Sequence, residues 1–148
     1  RSLEKHVKGE DRKPGTNLVQ QKGFAMANVI IEHGLADVNE VWGSEVSLYY
    51  PELYAGTTDL VGVYKGAPAI MDFKQARKLK KKEWIEDYFL QLVAYSEAHN
   101  KQYNTDIKAG RIFICTQKNE FQTFEIDDYD QWVGRWYSKL EQYYKKIL

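Results

Sequence analysis

Two charged residues near the middle of the chain, Asp72 and Lys74, have types and spacing that suit hydrolysis. Alternate side chains of a β-strand point to the same face, so a strand through M-D-F-K directs both groups into one site. A carboxylate can bind a divalent metal, and a neighbouring lysine can orient a metal-activated water or stabilise charge on a scissile phosphate. Because unrelated charges on a solvated strand face give the same pattern, the D-x-K tripeptide alone is a weak signal.

A second acid, Asp59, is predicted to lie directly opposite Asp72. The K-G dipeptide at 65–66 separates two strand-like runs and indicates a two-residue hairpin loop. Counting outward from this loop pairs the two acids at a non-hydrogen-bonded position, where opposed Cβ atoms lie roughly 4.5 to 5.5 Å apart. Like charges at that distance destabilise a sheet unless a cation or a shared proton compensates. A divalent metal meets that need, and carboxylate oxygens suit the hard ions Mg²⁺ and Mn²⁺.

The elements that must position these residues alternate between helices and strands. Apolar periodicity of three and four residues predicts helices at 16–33, at 83–102 and from Asp128 onward. Runs rich in β-branched and aromatic residues predict strands at 40–50, 54–64, 67–74, 111–116 and 121–126. The order αβββαββα predicts a mixed α/β fold in which helices flank a central mixed sheet.

The composition indicates one folded domain. The chain has 148 residues, of which 43% are hydrophobic and 28% charged, and this excludes disorder. We expect residues 1–15 to form an irregular arm. No stretch approaches the roughly 20 apolar residues of a membrane span, and the charged start lacks the apolar stretch of a signal peptide, so we expect a soluble, unexported protein. The single cysteine, Cys115, excludes a disulfide framework, and its apolar strand predicts a buried thiol in a reducing compartment.

Charge is balanced over the chain but not along it. The 21 Lys and Arg residues equal the 21 Asp and Glu residues, so any basic patch must be local. The basic segment, residues 74–82 (K-Q-A-R-K-L-K-K-K), contains six cations and no acid. We expect it to be mobile and to track the backbone of a single nucleic-acid strand, with Trp84 or Tyr88 as a stacking surface, although a solvated helix approach explains the run equally well. The candidate nucleic-acid-binding residues are Arg77, Lys78, Lys80, Lys81, Lys82 and Trp84.

Three short motifs occur in the order of a known nuclease family. They are G-T-T-D at 56–59, D-F-K at 72–74 and Q-L-V-A-Y at 91–95, where Gln91 is the odd polar residue on an apolar helix face. The chain resembles the PD-(D/E)xK nuclease superfamily, in particular its RecB-like exonuclease branch, whose motifs are G-x-x-D, (D/E)-x-K and Q-x-x-x-Y. The resemblance implies a restriction-endonuclease-like αβββαβ core, to which the last strand and helix are additions.

The resemblance also implies an activity and a site. The activity is that of a Mg²⁺- or Mn²⁺-dependent deoxyribonuclease, an exonuclease rather than an endonuclease, acting on single-stranded DNA or duplex ends in replication, repair or recombination. The site residues that it implies are the metal ligands Asp59, Asp72 and the Phe73 backbone carbonyl, the catalytic lysine Lys74, and Gln91 and Tyr95 as organisers of the site and the nucleic-acid end. A purely structural network remains the alternative for Gln91 and Tyr95. The resemblance places the protein in the cytoplasm of a bacterium or phage-infected host, or in the mitochondrial matrix.

One family residue is missing, and its absence keeps other functions open. The branch often carries G-T-x-x-H on the first helix, but the two registers available here place Val19 or Ala27 at the histidine position. This puts a full two-metal site in doubt, and Glu45 on the first strand is a tentative extra metal ligand. A nucleic-acid-binding module with weak or lost catalysis is therefore the alternative function. A third alternative is an interaction scaffold, suggested by an aromatic stripe on the last helix that fits a core equally well: Trp132, Trp136 and Tyr143.

Overall fold

The described residues form a five-stranded sheet with helices on both faces. The structure is a computed structural model that describes residues 2–81 and 85–147. The helices are α1 (Ser2–Val7), α2 (Leu18–His33), α3 (Glu86–Tyr103) and α4 (Tyr129–Ile147), with a 3₁₀ turn at Leu35–Asp37. The strands are β1 (Val38–Tyr50), β2 (Tyr54–Tyr64), β3 (Ala67–Ala76), β4 (Ala109–Thr116) and β5 (Phe121–Glu125). They lie in chain order, with β3 parallel to β4 and the other neighbours antiparallel. The predicted mixed α/β fold is confirmed, including the αβββαβ core and the added C-terminal strand and helix.

The loop between β2 and β3 sets the register of the site. Lys65 and Gly66 both have positive φ angles, 47° and 85°, as the central residues of a tight type I′ hairpin require. Pairing starts at Tyr64↔Ala67 and runs without a shift to Leu60↔Met71, which is the predicted register. The hairpin therefore places the next pair of residues, Asp59 and Asp72, at the same level of the sheet.

Each face of the sheet buries its own core. The strand residues under α3 and α4 include Val61, Ile70, Ile112 and Ile114. Those under α2 include Leu60, Met71, Phe113 and Cys115, whose thiol is buried as predicted. Because side chains alternate along a strand, Asp72 and Lys74 belong to the α3 face, whereas Phe73 packs on the α2 face.

Helix α3 connects the parallel strands β3 and β4, so it must cross one face of the sheet. Its residues Phe89, Leu92 and Val93 are buried on that face. Trp132 of α4 packs edge-on against Phe89, with ring centroids 5.2 Å apart, and covers the helix from outside. This packing fixes α3 across the sheet from β1 to β4, where its polar residues can reach the ends of β2 and β3.

The predicted irregular arm is wrong in its first half. Residues 1–15 contain helix α1, because Leu3 and Val7 lie one turn apart and pack together on the α2-side core. Helix α2 begins at Leu18 rather than at residue 16, because the Asn17 side chain accepts a hydrogen bond from the Gln20 N–H (2.8 Å) and caps the helix. Over the described ranges, no helix is both long and apolar enough to cross a membrane. The prediction of a single domain stays a prediction.

Candidate active site

The two acids lie side by side where regular pairing of β2 and β3 ends. The Asp59 N–H donates to Asp72 Oδ1 (3.2 Å), and the Phe73 N–H donates to Asp59 Oδ2 (2.8 Å). Each acid thus accepts a main-chain hydrogen bond from the opposite strand, in place of the next pair of ladder bonds. The structure brings the two carboxyl groups together, as the hairpin count predicts.

Burial raises the pKa of the Asp72 carboxyl group. Its side chain is almost fully buried, and its Oδ1 also accepts a hydrogen bond from the Thr58 hydroxyl (3.2 Å). Burial, together with the nearby charge of Asp59, raises the pKa of Asp72 to about 6, against the opposing effect of Lys74. A further positive charge at this position would favour the ionised carboxylate.

Lys74 is held between the strand and the helix. Its Nζ lies 3.6 Å from Asp72 Oδ2, donates to Gln91 Oε1 (3.2 Å) and sits 5.0 Å from the centre of the Tyr88 ring. The sequence predicts that Tyr88 lies on the same side of the helix as Gln91 and offers a stacking surface for a nucleic-acid base, but it does not predict the contact with Lys74. Its spacing of one turn from Gln91 was the signal that both residues face the same lysine. These contacts hold the ammonium group beside the buried acid.

The Q-x-x-x-Y motif continues this series of contacts. Gln91 Nε2 donates to the Tyr95 hydroxyl (3.1 Å), so Asp72, Lys74, Gln91 and Tyr95 form one connected series. Burial, with a smaller effect of Asp72, raises the pKa of Tyr95. Its ring packs directly on Gly56, where an added Cβ would lie 2.7 Å from a ring carbon. The glycine of G-x-x-D is therefore required by the close approach of α3 to β2, a contact that the sequence alone does not reveal.

A cavity of about 580 Å³ opens beside these residues. One side, which we name the motif wall, is formed by Asp59, Phe73 and Lys74. The opposite side, which we name the N-terminal wall, includes Leu3, Glu4, Phe24, Ala27 and Glu45. Asp59 and Lys74 therefore face a space that the first two helices and the middle of β1 complete, whereas Asp72, Gln91 and Tyr95 do not line it.

Glu45 lies in the N-terminal wall, at the level of Asp59. Its neighbours in β1 pair with the residues on either side of Asp59, and its φ angle of 49° lies in the left-handed region although the pairing register is unbroken there. Its exposed carboxyl group is hydrogen-bonded to Glu4, which raises the pKa of Glu45, and Glu4 is ion-paired with Lys8. The structure thus gives this carboxyl group a partner other than the two acids, and the role of Glu45 as a metal ligand stays a prediction.

Neither position available for the family histidine offers a metal ligand. Val19 is 80% exposed, whereas Ala27 is buried and lines the cavity. Within residues 2–81 and 85–147, no group of three or more His, Cys, Asp or Glu side chains is arranged to hold a metal. The predicted ligands, which are the Asp59 and Asp72 carboxylates and the Phe73 carbonyl, are all oxygen donors. Such oxygen donors suit a hard divalent ion, whose charge would offset the repulsion between the two acids.

The basic segment begins at Lys74 within β3 and leaves the strand after Ala76. Arg77, Lys78 and Lys81 are exposed, and Lys80 is half-buried. The candidates Lys82 and Trp84 lie outside the described residues. The main chain of Lys80 is hydrogen-bonded to the side chain of a β5 residue, Gln122, and the mobility of the segment as a whole stays a prediction. Sequence reasoning missed this residue, because nothing in a short strand marks one glutamine as a partner for a distant loop.

The aromatic stripe of α4 divides along its length. Trp132 is buried against Phe89, and Trp136 packs on the same core. Tyr143, near the end of the helix, is 57% exposed. The two tryptophans are therefore part of the core. Of the three aromatic residues that suggested an interaction scaffold, only Tyr143 is largely exposed.

Comparison with known proteins supports the same fold. No family model matches the chain. It is similar to the human mitochondrial genome maintenance exonuclease 1, with 29% identity over 127 residues that cover 78% of this chain and 36% of that protein. A crystal structure of a candidate exonuclease from Eubacterium rectale superposes with a TM-score of 0.63 at 12% identity, covering 98% of this chain and 63% of that one. The chain thus spans about a third of its curated relative and under two thirds of the solved chain. The resemblance to the PD-(D/E)xK nucleases is confirmed, and the RecB-like branch stays a prediction.

Proposed function

We propose that this chain, a PD-(D/E)xK-like nuclease in fold and sequence similarity, is a metal-dependent DNA exonuclease. The observation that carries the proposal is the connected series of contacts from Asp59 through Asp72 and Lys74 to Gln91. Paired carboxylates beside an ordered lysine supply what hydrolysis of a phosphodiester needs, namely metal ligands and a cation for the developing charge. The substrate would be single-stranded or end-opened DNA in replication, repair or recombination. The protein would act in the cytoplasm of a bacterium or phage-infected host, or in the mitochondrial matrix.

The proposed metal ligands are Asp59, Asp72 and the Phe73 carbonyl, for Mg²⁺ or Mn²⁺. When bound, such an ion supplies a Lewis acid and a water of lowered pKa. The buried position of Asp72 and its raised pKa support this assignment, because a group in that state gains most from a nearby cation. The main-chain hydrogen bonds that hold both acids keep their oxygens in place without the ion.

Lys74 would act on the scissile phosphate. Its ammonium group is fixed on the same strand face as Asp72, and it can donate to a phosphate oxygen or to the attacking water. Gln91 accepts one of its hydrogen bonds, and Tyr88 lies against its charge, so the lysine needs little reordering when substrate binds. Tyr95 supports Gln91 from behind.

The proposed path of the DNA strand runs over the basic segment. A protein of zero net charge must concentrate cations near the site where it holds a polyanion, and this segment follows the catalytic strand directly. Changing Lys80, Lys81 and Lys82 together to Ser should weaken binding similarly for all sequences. The slope of log affinity against log salt should flatten by about two units, at roughly 0.7 per phosphate neutralised on a single strand. An unaltered slope in a filter-binding or anisotropy titration would place the strand on another surface.

A nuclease assay with four substrates tests the activity. The purified chain is incubated with end-labelled linear single-stranded DNA, circular single-stranded DNA, blunt duplex and RNA, each with Mg²⁺, Mn²⁺ or EDTA. We expect metal-dependent release of short products from linear single-stranded DNA, with the circle left intact because it has no end. Cleavage of the circle at a similar rate would show an endonuclease, and cleavage in EDTA would contradict the metal site.

One observation favours the alternative of a binding module with weak or lost catalysis. The wall position that could carry the family histidine is Ala27, which has no metal-binding atom in its side chain. If that ligand is indispensable, the chain binds DNA but does not cut it. Nanomolar to micromolar DNA binding without cleavage at any Mg²⁺ or Mn²⁺ concentration would support the module and exclude the nuclease.

A further inference from the structure

The side chain of Gln122 binds both main-chain groups of Lys80. Its Oε1 accepts a hydrogen bond from the Lys80 N–H (2.8 Å), and its Nε2 donates to the Lys80 carbonyl. One amide side chain thus satisfies the donor and the acceptor of a residue that belongs to no strand. This contact joins residue 80 of the basic segment to β5.

The register of the sheet places this contact on the same row as Lys74. Lys74 pairs with Ile114 of β4, and Ile114 pairs with Gln122 of β5. Residues paired in this way point to the same face, so Gln122 lies on the α3 face, two strands from the lysine. At roughly 4.8 Å between strands, the main chains of Lys74 and Gln122 are about 10 Å apart. The basic segment leaves β3 after Ala76, and the hydrogen bonds to Gln122 bring Lys80 over that face.

We propose that Gln122 is a positioning residue for the substrate strand, which acts by holding the basic segment beside the site. The inference rests on the proposed function and adds to it a residue outside the family motifs. A segment that is already ordered loses less conformational freedom on binding, so its lysines bind phosphate at a lower entropic cost. Gln122 itself need not touch the DNA.

Limited trypsin digestion tests the contact without reference to DNA. The segment is rich in trypsin sites, and a residue held by two main-chain hydrogen bonds is a poor protease substrate. Gln122→Leu keeps most of the side-chain volume and removes both bonds. Thr123→Val is the matched control, because Thr123 is the next residue of β5 and bonds Arg111 instead. We expect cleavage at Lys78–Lys81 to be about tenfold faster in Gln122→Leu and unchanged in the control. Equal cleavage rates in all three proteins would overturn the proposal.

DNA binding then tests the positioning role. In EDTA, the Kd of Gln122→Leu for a labelled single-stranded oligonucleotide should rise about three- to tenfold, with a shallower salt dependence, while Thr123→Val matches the wild type. In turnover with Mg²⁺, KM should rise more than kcat falls. Faster trypsin cleavage with an unchanged Kd would overturn the role in substrate binding alone. A wild-type chain that binds no DNA would instead overturn the proposed function together with this role.

Discussion

The two walls of the cavity are built in different ways. On the motif wall, Asp59 and Lys74 are tied by hydrogen bonds and an ion pair to residues buried beneath them, including the almost fully buried Asp72. On the N-terminal wall, the charged groups bond mainly to one another, as the half-buried Glu4 does with the exposed Glu45 and Lys8. The difference indicates that the motif wall fixes chemical groups, whereas the N-terminal wall shapes the space in front of them.

The largest loss of activity is expected from replacing Lys74 on the motif wall. We expect Lys74→Ala to lower kcat by about 10²- to 10³-fold, because no other described cation contacts Asp72 at that position. The fold should persist, since the ammonium group adds nothing to core packing. Lys108→Ala is the matched control: this exposed lysine precedes β4 at the opposite end of the sheet. Unchanged cleavage by Lys74→Ala, with contaminating nucleases excluded, would end the catalytic assignment of the motif wall.

The cost of ionising the buried Asp72 beside Asp59 should appear as pH-dependent stability in metal-free buffer. Asp72 has a pKa of about 6 in the folded chain, above the ordinary value of 3.8, so the native state holds its proton more tightly than the unfolded state. The free energy of unfolding should therefore fall as pH rises from about 4 to 6, and the loss should be complete above that range. Asp72→Asn cannot ionise, yet its side-chain oxygen can still accept the Thr58 and Asp59 hydrogen bonds.

We expect Asp72→Asn to be more stable than the wild type at pH 7 by on the order of 1 to 3 kcal/mol, which is a rise in Tm of several degrees. At pH 4 the two proteins should melt together. Thermal melts in EDTA across this range measure the difference, and saturating Mg²⁺ should reduce it if the acids bind the ion. A variant that is less stable than the wild type at pH 7 would show that the Lys74 ion pair outweighs the repulsion.

The same contrast explains what the sequence could predict. Asp72 and Lys74 follow from strand alternation, Gln91 and Tyr95 from the helical turn, and Asp59 from the hairpin count. The strand predictions use the two-residue alternation of side chains, and the helix prediction uses the helical repeat. The short hairpin loop then fixes the register between the two strands. The motif wall is thus encoded within a short stretch of chain.

The remaining features depend on contacts between distant segments. Residues 1–15 fold partly as a helix because Leu3 and Val7 find an apolar surface that other elements create. Gly56 is needed because of a ring on α3, and Lys80 is ordered by a glutamine of β5. A periodic pattern in the sequence cannot predict these contacts, because they join residues that come together only when the chain packs.

Tyr88 offers a finer test of the motif wall. Its ring lies against the Lys74 ammonium group, a cation–π contact worth about 0.5 to 2 kcal/mol. Tyr88→Leu should lower kcat/KM by about tenfold, whereas Tyr88→Phe, which keeps the ring, should stay within about twofold of the wild type. A pH–rate profile of both variants separates an effect on the lysine from a general loss of packing. Equal losses in both variants would assign the effect to the hydroxyl group instead.

The smallest effect is expected on the N-terminal wall, at Glu45. Its carboxyl group is exposed and hydrogen-bonded to Glu4, and the glutamine amide of Glu45→Gln can donate to the same acid. We therefore expect Glu45→Gln to change kcat/KM by less than about threefold, as substitutions of exposed groups usually do. Asp59→Asn is the matched change on the motif wall, and it should cost about 100-fold because it removes a charge from the proposed metal site.

The two variants are compared in Mg²⁺ titrations of the nuclease reaction, since a lost metal ligand raises the Mg²⁺ concentration needed for half-maximal rate. That concentration should rise for Asp59→Asn and stay constant for Glu45→Gln. If both variants shift it alike, Glu45 is a metal ligand after all, and its bond to Glu4 must open when the ion binds. The N-terminal wall would then take part in the chemistry, and the division of labour between the two walls would be wrong.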